Sequence, residues 1–186
     1  GQHRSNPTMT LPRKPIALAV VALVIVTIIY KSIFTWPAEI QLQAKQERLV
    51  ASIEARKWGR VYGLTSETYS DSLGLDKENL MLALKDAGSQ FWTKFELNWK
   101  MTELERDGDA VVITGNMFLN GEGGPAAPFI VKYARPYTKK PFTFRWRKTG
   151  MLPWKWQLES IDHPDAKLPE NYTPGELRNR LKRGQF

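Results

Sequence analysis

A long apolar run near the N-terminus constrains this chain more than any other feature. It reads PIALAVVALVIVTIIYKSIFTW from Pro15 to Trp36. A helix that crosses a bilayer needs about 20 apolar residues to span about 30 Å of hydrocarbon. The one charge inside the run, Lys31, lies near its end, where a lysine can extend its ammonium group to the interface. Tyr30 and Trp36 are typical of that interface. The sequence therefore predicts one transmembrane helix over 15–36.

The residues around this run predict its processing and orientation. A signal peptide needs small residues just before its cleavage site, whereas the stretch from Tyr30 to Pro37 is mostly bulky. We therefore expect an uncleaved anchor. Basic residues lie on both sides of the run, so their count is nearly balanced. The polar basic head, residues 1–14, is short enough to stay in the cytoplasm. The predicted location is the inner (plasma) membrane, with a single pass and a periplasmic or extracytoplasmic domain.

Two periodicities divide the rest of the chain. Apolar residues recur at helical spacing from Ala38 to about Tyr62, and a second helical stretch begins near Asp76 and ends at Gly88. The period then changes to 2, which predicts five antiparallel strands up to Ile161, with residues 128–134 as the third. The fold class is therefore α+β, with N-terminal helices packed on a bent antiparallel sheet over residues 37–163. Residues 164–186 form a Pro-containing basic tail, with a short helix expected at 176–183.

The phrase WGRVYGLT, from Trp58 to Thr65, closes the first helical stretch. Together with the order of elements, it resembles the nuclear-transport-factor-two-like (SnoaL-like, cystatin-like cone) superfamily over about Ala38 to Asp162. The resemblance implies a cone-like domain, and in enzymes of this fold an Asp/His or Asp/Tyr pair in the cavity. The layout of cytoplasmic head, single anchor and periplasmic cone domain is similar to that of the type IV secretion inner-membrane component.

The composition excludes several kinds of chemistry. The chain has no cysteine, so disulfides, thiolate metal sites and a cysteine nucleophile are excluded. It has two histidines, His3 in the head and His163 just after the last predicted strand. One histidine with Asp162 and Asp165 beside it is too little for a metal site. The glycine-rich stretch 121–125 is predicted to precede another strand, which is the wrong context for a phosphate-binding loop. We predict no catalytic, cofactor-binding or metal-binding residues.

The positive charges are concentrated in one region. The formal net charge is +8, and no acidic residue occurs between Glu122 and Glu159. The predicted basic surface consists of Lys132, Arg135, Lys139, Lys140, Arg145, Arg147, Lys148 and Lys155. Such a field favours anionic lipid headgroups or an acidic protein surface. A solvated strand face is the alternative, and binding of nucleic acid is not favoured in an exported, tethered domain.

Aromatic residues are the second group of candidates. They are Trp58, Tyr62, Phe91, Trp92, Trp99, Trp146, Trp154 and Trp156. A bent sheet needs bulky inward side chains to fill it, so a filled core explains these residues well. A ligand cavity with aromatic walls is the alternative.

These features predict a non-catalytic accessory or scaffold subunit of a multi-protein membrane complex. The complex would be a secretion channel or a photosynthetic or respiratory assembly, and the chain would bind its neighbours through the domain and the tails. The expected partners are other membrane-protein subunits and the lipid bilayer, and no cofactor is expected. Two alternatives stay open, a membrane-tethered ligand-binding domain with an aromatic cavity and a cone-fold enzyme.

Overall fold

A computed structural model of the chain describes residues 13–34, 38–152, 154–177 and 183, and within the first helix it describes the side chains of residues 20–31. The chain divides into two compact units, Gly1–Pro37 and Ala38–Phe186. In the first unit the described element is one helix, α1 (Arg13–Phe34). Most of the predicted head (1–14), and most of the helix expected at 176–183, lie outside the described residues.

The prediction of a transmembrane helix over 15–36 is wrong. No helix in the described part of the chain is both long and apolar enough to cross a bilayer. Lys14 and Lys31 confine the uncharged run to Pro15–Tyr30. At 1.5 Å per residue this run covers about 24 Å, less than the hydrocarbon thickness of about 30 Å. Two other predictions depended on this anchor: the single-pass location in the inner membrane and the layout that resembles a type IV secretion component. Neither is supported once the anchor is corrected.

The second unit combines helices with one antiparallel sheet, and the α+β class predicted for it is confirmed. The elements are α2 (Ala38–Glu54), α3 (Trp58–Leu64), α4 (Lys77–Gly88), β1 (Lys94–Asp107), β2 (Ala110–Glu122), α5 (Ala127–Ala134), a 3-10 helix (Arg135–Lys139), β3 (Phe142–Lys148) and β4 (Trp156–Asp162). The four strands pair in the order β1-β2-β3-β4. Register shifts at Met101/Glu103 and Arg145/Trp146 interrupt the ladders. Such irregularities bend and twist strands, so the sheet is consistent with a cone fold.

The first predicted helix is divided into α2 and α3 by a short turn. Arg56, within this turn, has a φ of +53°. This conformation costs a non-glycine residue free energy, so the surrounding contacts must stabilise it. The Arg56 Nε donates a hydrogen bond to the Gly88 carbonyl at 3.0 Å, and a terminal guanidinium nitrogen donates to the Phe91 carbonyl. These bonds join the turn to the end of α4.

The third predicted strand, residues 128–134, is instead the helix α5. Pro128 lies in the first turn of this helix, where a missing amide hydrogen has no cost. A short apolar segment does not distinguish a strand from a buried helix by its pattern, and the β-branched and aromatic residues favoured the wrong choice. The last strand also begins later than predicted, at Trp156.

The core lies between the helices and the inner face of the sheet, and one buried hydrogen bond crosses it. The Trp146 Nε1 of β3 donates to the Gln46 Oε1 of α2 at 2.9 Å, and both side chains are fully buried. The other buried apolar side chains of this cluster include Leu42, Leu49, Ile53, Val61, Val111, Ile113, Phe144 and Leu158. A buried polar group without a partner costs about 1–3 kcal/mol, so this bond helps to fix α2 on the sheet.

We predict that Trp146→Phe lowers the free energy of unfolding by about 2–4 kcal/mol, because it removes apolar volume and leaves the Gln46 oxygen buried without a donor. Trp92→Phe is the matched control, since Trp92 is 66% exposed, and it should change stability by less than about 0.5 kcal/mol. Urea unfolding followed by circular dichroism measures both values. Equal losses in the two variants would contradict the assigned role of the buried bond.

Candidate functional site

An open apolar groove of about 680 Å³ lies beside α4 and α5. Its wall on α4 is formed by Ala83 and Ala87, small residues one turn apart that leave the space open. The other lining residues come from α5, the 3-10 helix and the C-terminal segment, and they are Ala126, Phe129, Ile130, Lys132, Tyr133, Pro136, Tyr137, Pro169, Tyr172 and Leu177. The groove is therefore assembled from three separate parts of the sequence.

Helix α5 turns one face to the sheet and another to the groove. Ala127 is fully buried, whereas Phe129 is 70% exposed and Tyr133 is 42% exposed. The rings of Tyr133 and Tyr137 meet edge to face, with centroids 5.7 Å apart. Burial, together with the neighbouring Tyr137, raises the pKa of Tyr133 to about 12, so its hydroxyl remains a donor near neutral pH. That hydroxyl donates to the Lys167 carbonyl at 2.8 Å and ties α5 to the C-terminal segment.

Asp86 of α4 holds the C-terminal wall of the groove. Its side chain is buried, and its Oδ2 accepts hydrogen bonds from the Tyr172 hydroxyl at 3.2 Å, the Gly175 amide at 2.7 Å and the Leu177 amide at 3.3 Å. Burial, followed by the charge of Asp86, raises the pKa of Tyr172, so the phenol stays protonated and donates. Gly175 has a φ of +88°, a conformation that suits glycine. We call residues 169–177, held by these bonds, the clasp segment.

A second hollow, of about 250 Å³, lies inside the cone between α4 and the sheet. Its lining is mainly apolar, with Tyr69 and Asp71 among the few polar residues. The Tyr69 hydroxyl donates to the Asp71 Oδ2 at 2.8 Å, and the Asp71 Oδ1 accepts from the Leu73 and Leu75 amides at 3.0 and 2.9 Å. Burial, and then the Asp71 charge, raises the pKa of Tyr69. The pair is therefore fully engaged in internal hydrogen bonds.

His163 lies at the same cavity but both of its ring nitrogens are occupied. The Nε2 is 2.9 Å from the Tyr137 carbonyl and 3.2 Å from the Lys140 carbonyl, so it carries the proton and donates, while the Nδ1 accepts from the Asp165 amide at 3.1 Å. The ring also packs on Phe142, with centroids 4.6 Å apart. Among the described residues no group of three or more His, Asp or Glu side chains could hold a metal ion.

The predicted basic residues fall into two groups. Arg145 and Arg147 project from the outer face of β3 and share the Glu159 carboxylate at 3.0 and 2.6 Å. They also pair with Asp107 and Asp109 at the β1–β2 turn, at 2.6 and 2.7 Å. The acidic partners come from β4 and from a distant hairpin, so the sequence pattern of β3 did not reveal them.

The remaining basic residues are exposed. Lys140 pairs with Asp165 at 2.9 Å, and Lys148 and Lys155 lie near the turn between β3 and β4. Lys132 lines the groove itself, and Arg135 and Lys139 follow it on the 3-10 helix. Within the described ranges, no ion-pair partner is present for these last three cations.

The predicted aromatic residues are dispersed over the domain. Trp146, Trp156 and Phe91 are buried, Trp58 and Trp99 are half-buried, and Tyr62, Trp92 and Trp154 are exposed. The groove aromatics Phe129, Tyr133 and Tyr172 were missed by the sequence analysis. An α-helical assignment for 127–134 would have brought Phe129, Ile130 and Tyr133 together at helical spacing.

The glycine-rich stretch 121–125 precedes α5 rather than a strand. Gly123, Gly124, Lys132, Arg135 and Glu122 line a hollow next to it. The Gly124 amide donates to the Gln90 carbonyl at 2.6 Å. A bonded amide and an adjacent carboxylate do not suit a phosphate, so this loop remains a structural element.

Comparisons with known proteins found matches among solved structures. No protein-family model matches the sequence, and no curated protein sequence matches it. The structure of Bd1075 from Bdellovibrio bacteriovorus is similar, with a TM-score of 0.50 at 10% identity, covering 70% of this chain and 40% of that one. The chain thus spans less than half the length of Bd1075.

Two further structures carry fold names. An NTF2-like protein from Cytophaga hutchinsonii ATCC 33406 has a TM-score of 0.48 at 12% identity, covering 68% of this chain and 97% of that one. A protein with a cystatin-like fold from Nostoc punctiforme PCC 73102 has a TM-score of 0.46 at 10% identity, covering 72% and 92%. These two names are those of the cone folds that the sequence analysis named. A fold does not determine activity, so activity must be argued from the site.

The Glu159 network predicts a pH dependence of stability. Hydrogen bonds from Arg147 and then from Arg145 lower the pKa of Glu159 below its ordinary value of about 4.3. A carboxyl group whose pKa is lower in the folded state than in the unfolded state stabilises the fold when the pH is above the unfolded-state pKa. This stabilisation is lost as the pH falls through the folded-state pKa.

We therefore expect Glu159→Gln to be less stable than the wild type at pH 7, with a difference that shrinks steadily below about pH 4. Urea midpoints measured from pH 7 to pH 2.5 test this. Glu105→Gln on β1 is the control, because Glu105 is exposed and forms no ion pair within the described residues. A constant difference at all pH values would refute the assignment.

The Asp86 contacts predict a specific local opening. In Asp86→Ala the clasp segment loses three hydrogen bonds, so the amides of Gly175 and Leu177 should exchange with deuterium at least tenfold faster, while amides in β3 are unchanged. Tyr172→Phe removes one bond of the three and should have a smaller effect. Peptide-level hydrogen–deuterium exchange measures both variants, and unchanged exchange in Asp86→Ala would show that other contacts hold the segment.

Proposed function

We propose that this chain is a non-catalytic accessory subunit of a multi-protein complex, and that it binds a neighbouring protein through the groove beside α5. The observation that carries the proposal is the groove itself, an apolar hollow of about 680 Å³ with Phe129 70% exposed on its wall. Concentrated apolar surface in contact with water is rare unless it serves an interaction.

The polar groups of the inner cavity support a non-catalytic role. A general acid or base must come within hydrogen-bond reach of the substrate. Tyr69, Asp71 and His163 each use their polar atoms in hydrogen bonds within the domain. Removing any of these atoms from its partner would leave a buried group unsatisfied.

Binding of a small apolar ligand in the inner cavity is the second candidate. Its favourable feature is the enclosed apolar wall of Phe91, Phe142, Phe144 and their neighbours. The cavity volume of about 250 Å³ is below the range of about 300–1,000 Å³ that is usual for ligand pockets. The groove is more than twice as large, so the partner-binding proposal comes first.

One experiment separates these two functions. The tagged full-length chain is purified under native conditions from its source cells, alongside Phe129→Asp and Met117→Phe. Phe129 lines the groove but not the inner cavity, and Met117 lines the inner cavity but not the groove. We expect a partner protein in stoichiometric yield with the wild type and with Met117→Phe, and at least tenfold less with Phe129→Asp, because a charge would be buried at the contact.

Circular dichroism and thermal unfolding check that both variants are folded. Loss of the partner in Met117→Phe but not in Phe129→Asp would favour the inner cavity instead. A wild-type chain that is recovered without any stoichiometric partner would overturn the proposed function.

A further inference from the structure

We infer that the occupant of the groove is an amphipathic helix from another protein, with an apolar face flanked by acidic side chains. This inference rests on the proposed function, because it specifies the chemistry of the partner at the same groove. Three observations support the inference: the dimensions of the groove, the positive charges next to it, and the positive charges of the other possible occupants.

The shape of the groove suits a short helix. The eight residues of α5 extend over about 12 Å, so an occupant lying alongside can present about two helical turns. Ala83 and Ala87, one turn apart on the α4 wall, have side chains small enough for a second helix to approach closely. An amphipathic helix contacts such a groove through apolar side chains at positions i, i+3 or i+4, and i+7.

The charge along the rim selects acidic residues. Lys132 of α5 lines the groove, and Arg135 and Lys139 stand at the two ends of the 3-10 helix, whose Pro136 and Tyr137 also line it. All three cations are exposed and have no ion-pair partner in the part of the chain that the structure describes. Glu122 lines the adjacent hollow together with Lys132 and Arg135, but none of the ion pairs among the described residues joins it to them.

The same charges disfavour the other occupants. The chain's own sequence after Leu177 contains Arg178, Arg180, Lys182 and Arg183, which the rim would repel. A two-fold contact between copies at this groove would bring the two basic rims together. A single lipid headgroup presents its charge at one point, whereas the three cations are distributed along α5 and the 3-10 helix, where several carboxylates of one partner helix can meet them.

A peptide selection tests this chemistry, and it does not require the partner to be identified first. A phage library of random 16-residue peptides is selected against the full chain. We expect the enriched peptides to combine apolar residues at helical spacing with Asp or Glu, and to fold as helices on binding. Their synthetic forms should lose at least tenfold in affinity for Phe129→Asp by fluorescence anisotropy.

Charge reversal provides the matched controls. Lys132→Glu/Lys139→Glu should bind the acidic peptides at least tenfold more weakly and should prefer versions in which Lys replaces the acids. Lys148→Glu/Lys155→Glu carries the same change in net charge at the distant β3–β4 turn and should bind as the wild type does. Affinity for the wild type should fall as the salt concentration rises.

The failures are distinguishable. Enriched peptides that need Phe129 but contain no acidic residues would overturn this inference and leave the proposed function standing. Peptides that bind Phe129→Asp as well as the wild type would overturn both. Phe129-dependent binding to vesicles of 30% phosphatidylserine, without acidic peptides, would assign the groove to lipid, and a Phe129-dependent dimer in light scattering would assign it to a second copy. Either result overturns the inference.

Discussion

The hydrogen bonds at the C-terminal end of α4 join the parts of the domain that would otherwise be separate. Arg56, in the turn between α2 and α3, donates to the carbonyls of Gly88 and Phe91, and Asp86 accepts three bonds from the clasp segment. Gly88 is itself tightly enclosed, since a Cβ there would lie 2.8 Å from the Trp58 ring. Because α4 lies between the groove and the inner cavity, with Ala87 lining both, its position determines the shape of each hollow.

The charges of the domain are used differently on its two surfaces. On the outer face of the sheet, the guanidinium groups of Arg145 and Arg147 are matched by Glu159 and by two aspartates, so the strand that is most basic in sequence is locally neutralised. Around α5 the cations have no such partners in the described structure. The excess positive charge that the sequence concentrates between Glu122 and Glu159 is therefore available next to the groove, where it can select an acidic partner.

The sequence predicted the helices and hairpins whose side chains follow a clear period. The change of period between Gly88 and Phe95 predicts both the end of α4 and the start of the β1–β2 hairpin. The turn of this hairpin contains Gly108, whose positive φ is a conformation that glycine adopts easily. The predictions that were wrong concern segments whose sequence fits two different structures. Residues 127–134 are short and apolar, and the run before Lys31 is apolar but limited by charge. The groove could not be predicted, because its lining depends on α5 being a helix and on the long-range contact between Asp86 and residues 172–177.

Packed aromatic side chains fill much of the space between α4 and the inner face of the sheet. Phe91 stacks on Phe95 at 5.0 Å, the Trp99 and Phe144 rings meet edge to face at 5.0 Å, and Trp146 is bonded to Gln46. The hollow that remains there has a volume of about 250 Å³, whereas the outer groove has about 680 Å³ and an apolar wall that is now in water. More apolar surface is therefore available for burial on the outside. For this domain, binding at the groove is favoured because it adds apolar burial without disrupting the core.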